Sequence, residues 1–136
     1  MGEMNEVFAA QDDGTALEML EGGGWGSPSY GDEGLRAQDL AELEALLTGQ
    51  TSQEVAADPR HGFQIAELFD EDAGVAEAGL WTVTDTLTAA LAAANSAALS
   101  AAAVAWGNRE SAVRELATVA RYAAAHGHRM YCFWYF

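Results

Sequence analysis

The sequence predicts an α+β protein in which a small mixed or antiparallel sheet is covered by several helices. Three observations carry this prediction: half of the residues are hydrophobic, helical stripes of Leu and Ala alternate with short apolar runs typical of strands, and the chain ends in an aromatic run. A chain of 136 residues is long enough for one hydrophobic core and too short for two ordinary domains. We therefore expect a single domain over residues 1–136.

The first half of the chain predicts one strand, one long loop and three helical segments. Residues 5–11 predict a short strand in which apolar residues are flanked by polar ones, and Asp12-Asp13 stands where the N-cap of a short helix belongs. Residues 22–34 hold six Gly and one Pro, so we expect a long loop. Asp39 opens a second helix that ends at Gly49, and Thr51 caps a further turn. The second helix has an apolar stripe of Leu40, Leu43, Leu46 and Leu47.

The second half predicts a hairpin, an Ala-rich helical pair and a final helix. Residues 62–69 and 80–84 read as paired strands joined by a long acidic connection over 70–79. Thr84 or Asp85 caps a helix that Asn95-Ser96 interrupts before a second one ends at Gly107. Asn108 caps the last helix, whose buried stripe is Val113, Leu116, Ala117, Ala120 and Ala124.

The last eight residues, 129–136, predict a strand that is apolar on both faces. A strand reads this way when it is covered on both sides. We therefore expect the C-terminal strand to be buried in the sheet.

Charge is the unusual property of the composition. The chain has 21 acids and six bases, all Arg, which gives a formal net charge of −15 at pH 7. Residues 1–100 hold 19 acids and two Arg, a sum of −17, whereas residues 101–136 hold two acids and four Arg, a sum of +2. A charge of this size speeds encounter with basic partners and repels nucleic acid. If the protein has a functional surface, we expect its residues to lie before residue 86.

No segment predicts a signal peptide or a membrane span. Residues 1–10 carry acids and no basic n-region. The uncharged stretch 86–108 is mostly Ala, which adds little insertion energy, so we interpret it as packed helices. We expect no membrane contact and a cytoplasmic location.

Residues that could do chemistry do not combine into a known catalytic or metal motif. Cys132 is the single cysteine and lies within the aromatic strand. His126 and His128 flank a helix-ending glycine without a third ligand, and residues from Asp70 onward fail the EF-hand spacing because positions 5, 6 and 12 are Gly, Val and Trp. We predict no cofactor and no metal, and we favour a non-enzymatic role.

Trp25 and Tyr30 stand on the glycine-rich segment, where large aromatic side chains either fold back on the core or serve as binding anchors. Both readings stay open here. Together with five acidic residues, they form the predicted partner-binding set: Trp25, Tyr30, Asp32, Glu33, Asp70, Glu71 and Asp72.

A set of short motifs gives the chain a resemblance. Leu47-Thr48-Gly49, Asp58-Pro59-Arg60-His61-Gly62, Val83-Thr84-Asp85 ahead of an Ala-rich helix, and Met130-Tyr131-Cys132-Phe133-Trp134 together span residues 45–136. In these motifs the chain resembles a group of small uncharacterised acidic proteins of high-GC bacteria, similar in type to toxin-immunity proteins. The resemblance implies a bacterial interaction protein and assigns no functional residue.

Three functions follow as hypotheses. The favoured one is an immunity or inhibitor-type protein that neutralises a basic partner, such as a toxin, through an acidic surface. The first alternative is a small-molecule-binding domain or enzyme with a pocket near His61. The second alternative is a mimic of nucleic-acid charge, which requires acids in two rows on one face. The oligomeric state stays open.

Overall fold

The computed structural model describes residues 3–22, 26, 28–70, 72 and 74–136, and for residues 69, 70 and 75 it describes the backbone alone. Over these residues the chain forms five strands and six helices, in the order β1 (Met4–Ala10), α1 (Asp13–Glu21), β2 (Ser29–Glu33), α2 (Ala37–Thr48), α3 (Ser52–Ala56), β3 (Gln64–Asp70), β4 (Val75–Thr82), α4 (Asp85–Ala93), α5 (Ser96–Ala105), α6 (Glu110–His126) and β5 (Arg129–Tyr135). The predicted α+β class is confirmed.

The strands form one open antiparallel sheet in the order β2-β1-β5-β4-β3. The C-terminal strand β5 is therefore central, with β1 on one side and β4 on the other. This confirms the prediction from its aromatic sequence. A strand with two neighbours satisfies the backbone groups along both of its edges, which suits a segment with so few polar side chains.

Helices α4 and α6 pack on one face of the sheet, which we call the helical face, and α2 and α5 pack against these two helices. Side chains of β1, β4 and β5 on this face, including Val7, Trp81, Met130 and Cys132, pack with the helices in one buried cluster. The helical contribution comes from Leu40, Leu43, Leu87, Leu91, Leu99, Val113 and Leu116. Burial of apolar side chains of this size contributes about 1.5–3 kcal/mol each, so this layer holds the main core.

Two predicted helical stripes each contain one residue that is exposed in the structure. In α6, Val113, Leu116, Ala117 and Ala120 are buried as predicted, but the stripe continues through Ala123 and leaves Ala124 exposed. In α2, which begins at Ala37 and not at Asp39, Leu46 is 46% exposed and Glu44 is buried in its place. Glu44 turns inward because the Thr84 hydroxyl at the start of α4 donates a hydrogen bond to its carboxylate.

Asp39 lies in the first turn of α2 instead of at its N-cap. Its carboxylate accepts a 2.9 Å hydrogen bond from the backbone N–H of Arg36, which precedes the helix. An acid placed three residues into a helix commonly makes this bond back to the cap. The prediction therefore identified the right signal and assigned it to the wrong helical position.

Two segments predicted as loops contain strands. Residues 29–33 of the predicted 22–34 loop form β2, because pairing with β1 supplies backbone hydrogen bonds that a local pattern does not reveal. Residues 75–79 of the predicted 70–79 connection belong to β4. Gly79 fits this strand because the Trp134 indole on β5 lies directly over it, where a Cβ atom would collide with the ring.

Within the described part of the chain, no helix is both long and apolar enough to cross a membrane.

Candidate functional site

The second face of the sheet, which we call the α1 face, is organised in rows that run across the strands. Residues paired across antiparallel strands lie on the same face, because side chains alternate along each strand. The first row is Ser29, Phe8, Tyr131 and Thr82; the middle row is Gly31, Glu6, Phe133, Leu80 and Ala66; the end row is Glu33, Met4, Tyr135, Ala78 and Leu68.

Helix α1 covers the first row and is tied to it by a polar cluster. Asp13 accepts a 2.6 Å hydrogen bond from the Tyr131 hydroxyl and two bonds of 3.0 and 3.2 Å from the Arg60 guanidinium. The carbon of that guanidinium lies 5.8 Å from the centroid of the Tyr131 ring. The bonds from Arg60 lower the pKa of Asp13, whereas burial raises the pKa of Tyr131. A charged arginine is thus held between an aromatic ring and a carboxylate.

The cover that α1 gives does not extend to the end row. Ala16, Leu17, Met19 and Leu20 of α1 pack with Phe8, Ala10, Leu80 and Tyr131, and Phe133 lies at the border of this cluster. We define the open sheet face as Met4, Leu68, Ala78, Phe133 and Tyr135.

Among the described residues, the open sheet face is a set of apolar and aromatic side chains that are only partly buried, apart from Ala78. Leu68 is 54% exposed, Met4, Phe133 and Tyr135 are half-buried, and Ala78 forms a buried floor. The rings of Phe133 and Tyr135 stack with centroids 5.3 Å apart and an interplanar angle of 23°. A contiguous apolar patch with polar neighbours is a common mark of an interaction site.

Carboxylates flank the open sheet face. Glu6 pairs directly opposite Phe133, and its carboxylate extends over Gly31, since a Cβ atom there would come within 2.8 Å of Glu6 Oε1. Glu33 occupies the β2 end of the same row as Met4 and Tyr135, and it is exposed. On the opposite edge, Asp72 is exposed in the β3–β4 turn.

The predicted partner-binding residues fall into separate groups. Glu33 lies on the α1 face, whereas Tyr30 and Asp32 lie on the helical face, because their register positions alternate along β2. Asp72 is at the other edge of the sheet, because four strand spacings, about 19 Å in total, separate β2 from β3. Trp25 and Glu71 lie outside the described residues, and so does the side chain of Asp70. Their predicted roles stay predictions.

Tyr30 folds back on the core. It is 8% exposed and belongs to the main buried cluster, while its hydroxyl donates a 2.7 Å hydrogen bond to Asp32 Oδ2. Burial, followed by this bond to a carboxylate, raises the pKa of Tyr30. Although their side chains leave β2 on different faces, Tyr30, Asp32 and Glu33 all contribute to the lining of one polar cleft of about 440 Å³ between β2 and the start of α6, where Arg109 is also present.

Comparison with protein-family models, with curated proteins and with solved structures found no match to this chain. The resemblance to small acidic bacterial proteins therefore stays a prediction.

His61 lies between two concavities of different size. An open groove of about 310 Å³ between α2 and α3 includes His61, Gln38 and Gln53. Behind it, a cavity of about 10 Å³ is lined by His61 and the buried Glu44, among other residues. Desolvation raises the pKa of Glu44, against the effect of the hydrogen bond from Thr84. The inner cavity has room for about one water molecule, which is too small for a substrate.

The other reactive residues do not assemble into a centre. Cys132 is fully buried, and desolvation raises the pKa of its thiol, which disfavours a nucleophilic thiolate. The rings of His126 and His128 are 5.7 Å apart, and both contact the ring of Tyr122. Among the described residues, no group of three or more His, Cys, Asp or Glu is placed to hold a metal ion.

Sequence reasoning missed the residues of the open sheet face. It interpreted the aromatic C-terminal strand as covered on both sides and expected a working surface before residue 86, whereas Phe133 and Tyr135 of β5 contribute to this face. The alternation of Tyr131, Phe133 and Tyr135 was a usable signal that these rings share one face. That α1 covers Tyr131 but does not reach Tyr135 could not be predicted from the pattern.

Proposed function

We propose that this protein is an immunity or inhibitor-type interaction protein that binds a basic protein partner through the open sheet face and the carboxylates beside it. The observation that carries the proposal is that Tyr135, Met4 and the exposed Leu68 share one face with two carboxylates, those of Glu6 and Glu33, in the same or the adjacent row. Apolar groups at the centre of an interface supply most of the affinity, and the charged rim selects the partner.

The net charge supports a basic partner. A formal charge of −15 attracts positively charged proteins over distances of about one Debye length, roughly 8–10 Å at physiological salt. A basic toxin is one partner of this kind, in keeping with the resemblance described above. The association rate would depend on the electrostatic field of the whole protein, whereas the lifetime of the complex would depend on the apolar centre of the interface.

A small-molecule-binding domain or enzyme is the second candidate. The groove at His61, with the buried Glu44 behind it, is the observation that favours this alternative. A ligand held there would shift the ring resonances of His61 in an NMR fragment screen. The charge-mimic alternative gains less support, because the neighbouring acids Asp32 and Glu33 lie on opposite faces of β2 and so do not form one row.

The test is a capture experiment with paired variants. Immobilised wild-type protein is compared with a Leu68→Arg, Tyr135→Arg variant, which places two positive charges on the open sheet face. The matched control carries Leu46→Arg and Val104→Arg, because both residues are exposed and lie on helices away from this face. Circular dichroism and urea unfolding establish that both variants are folded.

We expect a basic protein to be retained by the wild type and by the control, and to bind the open-face variant at least about tenfold more weakly in biolayer interferometry. Retention of the same basic protein by all three chains would overturn the assignment of the face. Retention of acidic proteins alone would overturn the proposed partner class.

A further inference from the structure

We infer that an open groove between α2 and the α5–α6 turn binds a small organic acid that carries one carboxylate and an apolar body. One wall of this groove belongs to α2, and the end of α5 with the following turn forms the other. Its volume is about 570 Å³, within the range of roughly 300–1,000 Å³ that is usual for small-molecule sites. The groove is separate from the open sheet face, so the inference goes beyond the proposed function and does not depend on it.

Arg109 supplies the positive charge of the groove, and its position is fixed by its neighbours. Its guanidinium carbon lies 4.6 Å from the centroid of the Trp106 ring. The Trp106 indole in turn donates a 3.0 Å hydrogen bond to the backbone oxygen of Asp39 in α2. Gly107 and Asn108 take positive φ values of 84° and 57° in the turn, and the backbone N–H of Arg109 bonds back to α5 at 3.1 Å. The cation is therefore in place at the groove before a ligand binds.

The guanidinium of Arg109 is available to an anion from outside the chain. Arg60, Arg114 and Arg129 each pair with a carboxylate. Within the described part of the chain, Arg109 makes neither an ion pair nor a side-chain hydrogen bond. A guanidinium that stacks through its plane keeps the N–H donors of its edge, which match a carboxylate through two parallel hydrogen bonds. The geometry therefore suits a carboxylate ligand.

The groove side of Arg109, and not the polar cleft at β2, suits an anion. Four carboxylates, including those of Asp32 and Glu33, line the cleft and would repel a negative ligand there. The described residues that line the groove include one carboxylate, that of Glu42. One positive and one negative side chain leave the groove close to neutral, and the formal net charge of −15 opposes further negative charge. The groove therefore favours an anion with a single charge.

The remaining lining favours an apolar body on the ligand. Ala45, Leu46 and Ala105 contribute apolar side chains to the groove. Leu46 is 46% exposed, so much of its surface is available to a ligand. Covering this surface removes apolar area from water and adds affinity, whereas the carboxylate fixes the orientation of the ligand.

The test titrates the full chain with three probes and follows the backbone amide resonances by NMR. Phenylacetate has the carboxylate and the apolar body, phenylacetamide keeps the body without the charge, and inorganic phosphate has charge without the body. We expect phenylacetate to shift the resonances of Leu46, Ala105 and Arg109 and to bind about threefold or more tightly than phenylacetamide, in line with an exposed ion pair. Phosphate should give no saturable shift at these residues.

Matched variants assign the binding to Arg109. Arg109→Gln removes the positive charge at the groove, and Arg121→Gln removes one from the exposed surface of α6. We expect Arg109→Gln to weaken phenylacetate by about threefold or more, to the level of phenylacetamide, and Arg121→Gln to leave its affinity within about 1.5-fold. Circular dichroism and urea unfolding establish that both variants are folded.

A second variant keeps the test decisive if the loss of stacking on Trp106 unfolds Arg109→Gln. Glu42 is exposed on α2, so Glu42→Gln removes the negative charge of the groove without removing a buried contact. We expect this change to tighten the binding of phenylacetate by about twofold, because less repulsion opposes the ligand. Glu18→Gln, which removes the same charge from the exposed surface of α1, should leave the affinity unchanged.

The remaining outcomes overturn the inference. Equal affinity for phenylacetate and phenylacetamide would mean that the groove recognises the apolar body alone, and saturable binding of phosphate at the same residues would mean a general anion site. Resonance shifts confined to other residues, or no shifts, would remove the site. None of these results bears on the open sheet face, so the capture experiment decides the proposed function separately.

Discussion

Glu44 is a carboxyl group in the core of the protein, and its protonation should make stability depend on pH. Burial raises its pKa in the folded state above the value of about 4.3 expected in the unfolded chain. The group's contribution to stability is therefore fully present below the unfolded pKa and is lost as pH rises through the folded pKa. We expect Glu44→Gln, which does not titrate, to gain stability relative to the wild type as pH rises from 4.5 to 8.

Urea unfolding at several pH values in this range measures the effect. Glu42→Gln is the matched control, because Glu42 is exposed on the same helix and its removal changes the net charge by the same amount. The free energy of unfolding of the control should follow the wild type in parallel. A Glu44→Gln curve that also runs parallel to the wild type would contradict the role assigned to this carboxyl.

At the scale of elements, α1 is held on the sheet by the bonds among Asp13, Arg60 and Tyr131. We expect Asp13→Asn and Tyr131→Phe to show a coupling free energy of about 1 kcal/mol in a double-mutant cycle, because the first removes the acceptor's charge and the second removes the donor of the same hydrogen bond. This figure is discounted for solvent screening, since the Asp13 side chain is 42% exposed.

The control cycle pairs Asp12→Asn with Tyr131→Phe. Asp12 caps α1 through a 2.7 Å hydrogen bond from the Thr15 N–H, and the partner in that bond is not Tyr131. The control should be additive within about 0.5 kcal/mol when unfolding free energies are measured in urea. Additivity in the Asp13 cycle as well would mean that the cluster does not hold α1.

How much of the fold the sequence predicts depends on whether the signal is local. Helix ends follow from caps such as Thr51, Thr84 and Asn95, whose side chains accept backbone hydrogen bonds within three residues. The short strand β2 could not be predicted in this way, because residues 29–33 are held in a strand by pairing with β1, which is distant in sequence. The type of an element was therefore predictable where the groups that hydrogen-bond to it lie nearby in the sequence.

The same distinction explains the candidate site. The net charge and the acids Asp32, Glu33 and Asp72 are visible in the sequence, but the assignment of Glu33 and Asp32 to opposite faces requires the register of β2. Glu6 was not predicted as a site residue because the residues around it have only the pattern of an ordinary strand. Only the pairing of β1 with β5 brings it opposite Phe133 and next to Tyr135. Site residues that come together through strand order could not be derived from local patterns.

At the scale of the whole molecule, an excess of 15 negative charges on a chain of 136 residues opposes the compact state through self-repulsion. Added salt shortens the Debye length from about 30 Å at 0.01 M to about 3 Å at 1 M and so screens that repulsion. We expect the free energy of unfolding to rise as NaCl increases from 10 to 500 mM at pH 7, measured by urea denaturation.

A variant with fewer charges separates this effect from a general effect of salt on burial. Replacing the exposed acids Glu18, Glu42, Glu67 and Glu77 by Gln takes the formal charge from −15 to −11, since four negative charges are removed. Its stability should be higher at 10 mM NaCl and should rise less steeply with salt, because less repulsion remains to be screened. Equal slopes for the two chains would show that local ion pairs, and not the overall field, govern the response, and the long-range attraction of a basic partner would lose its physical basis.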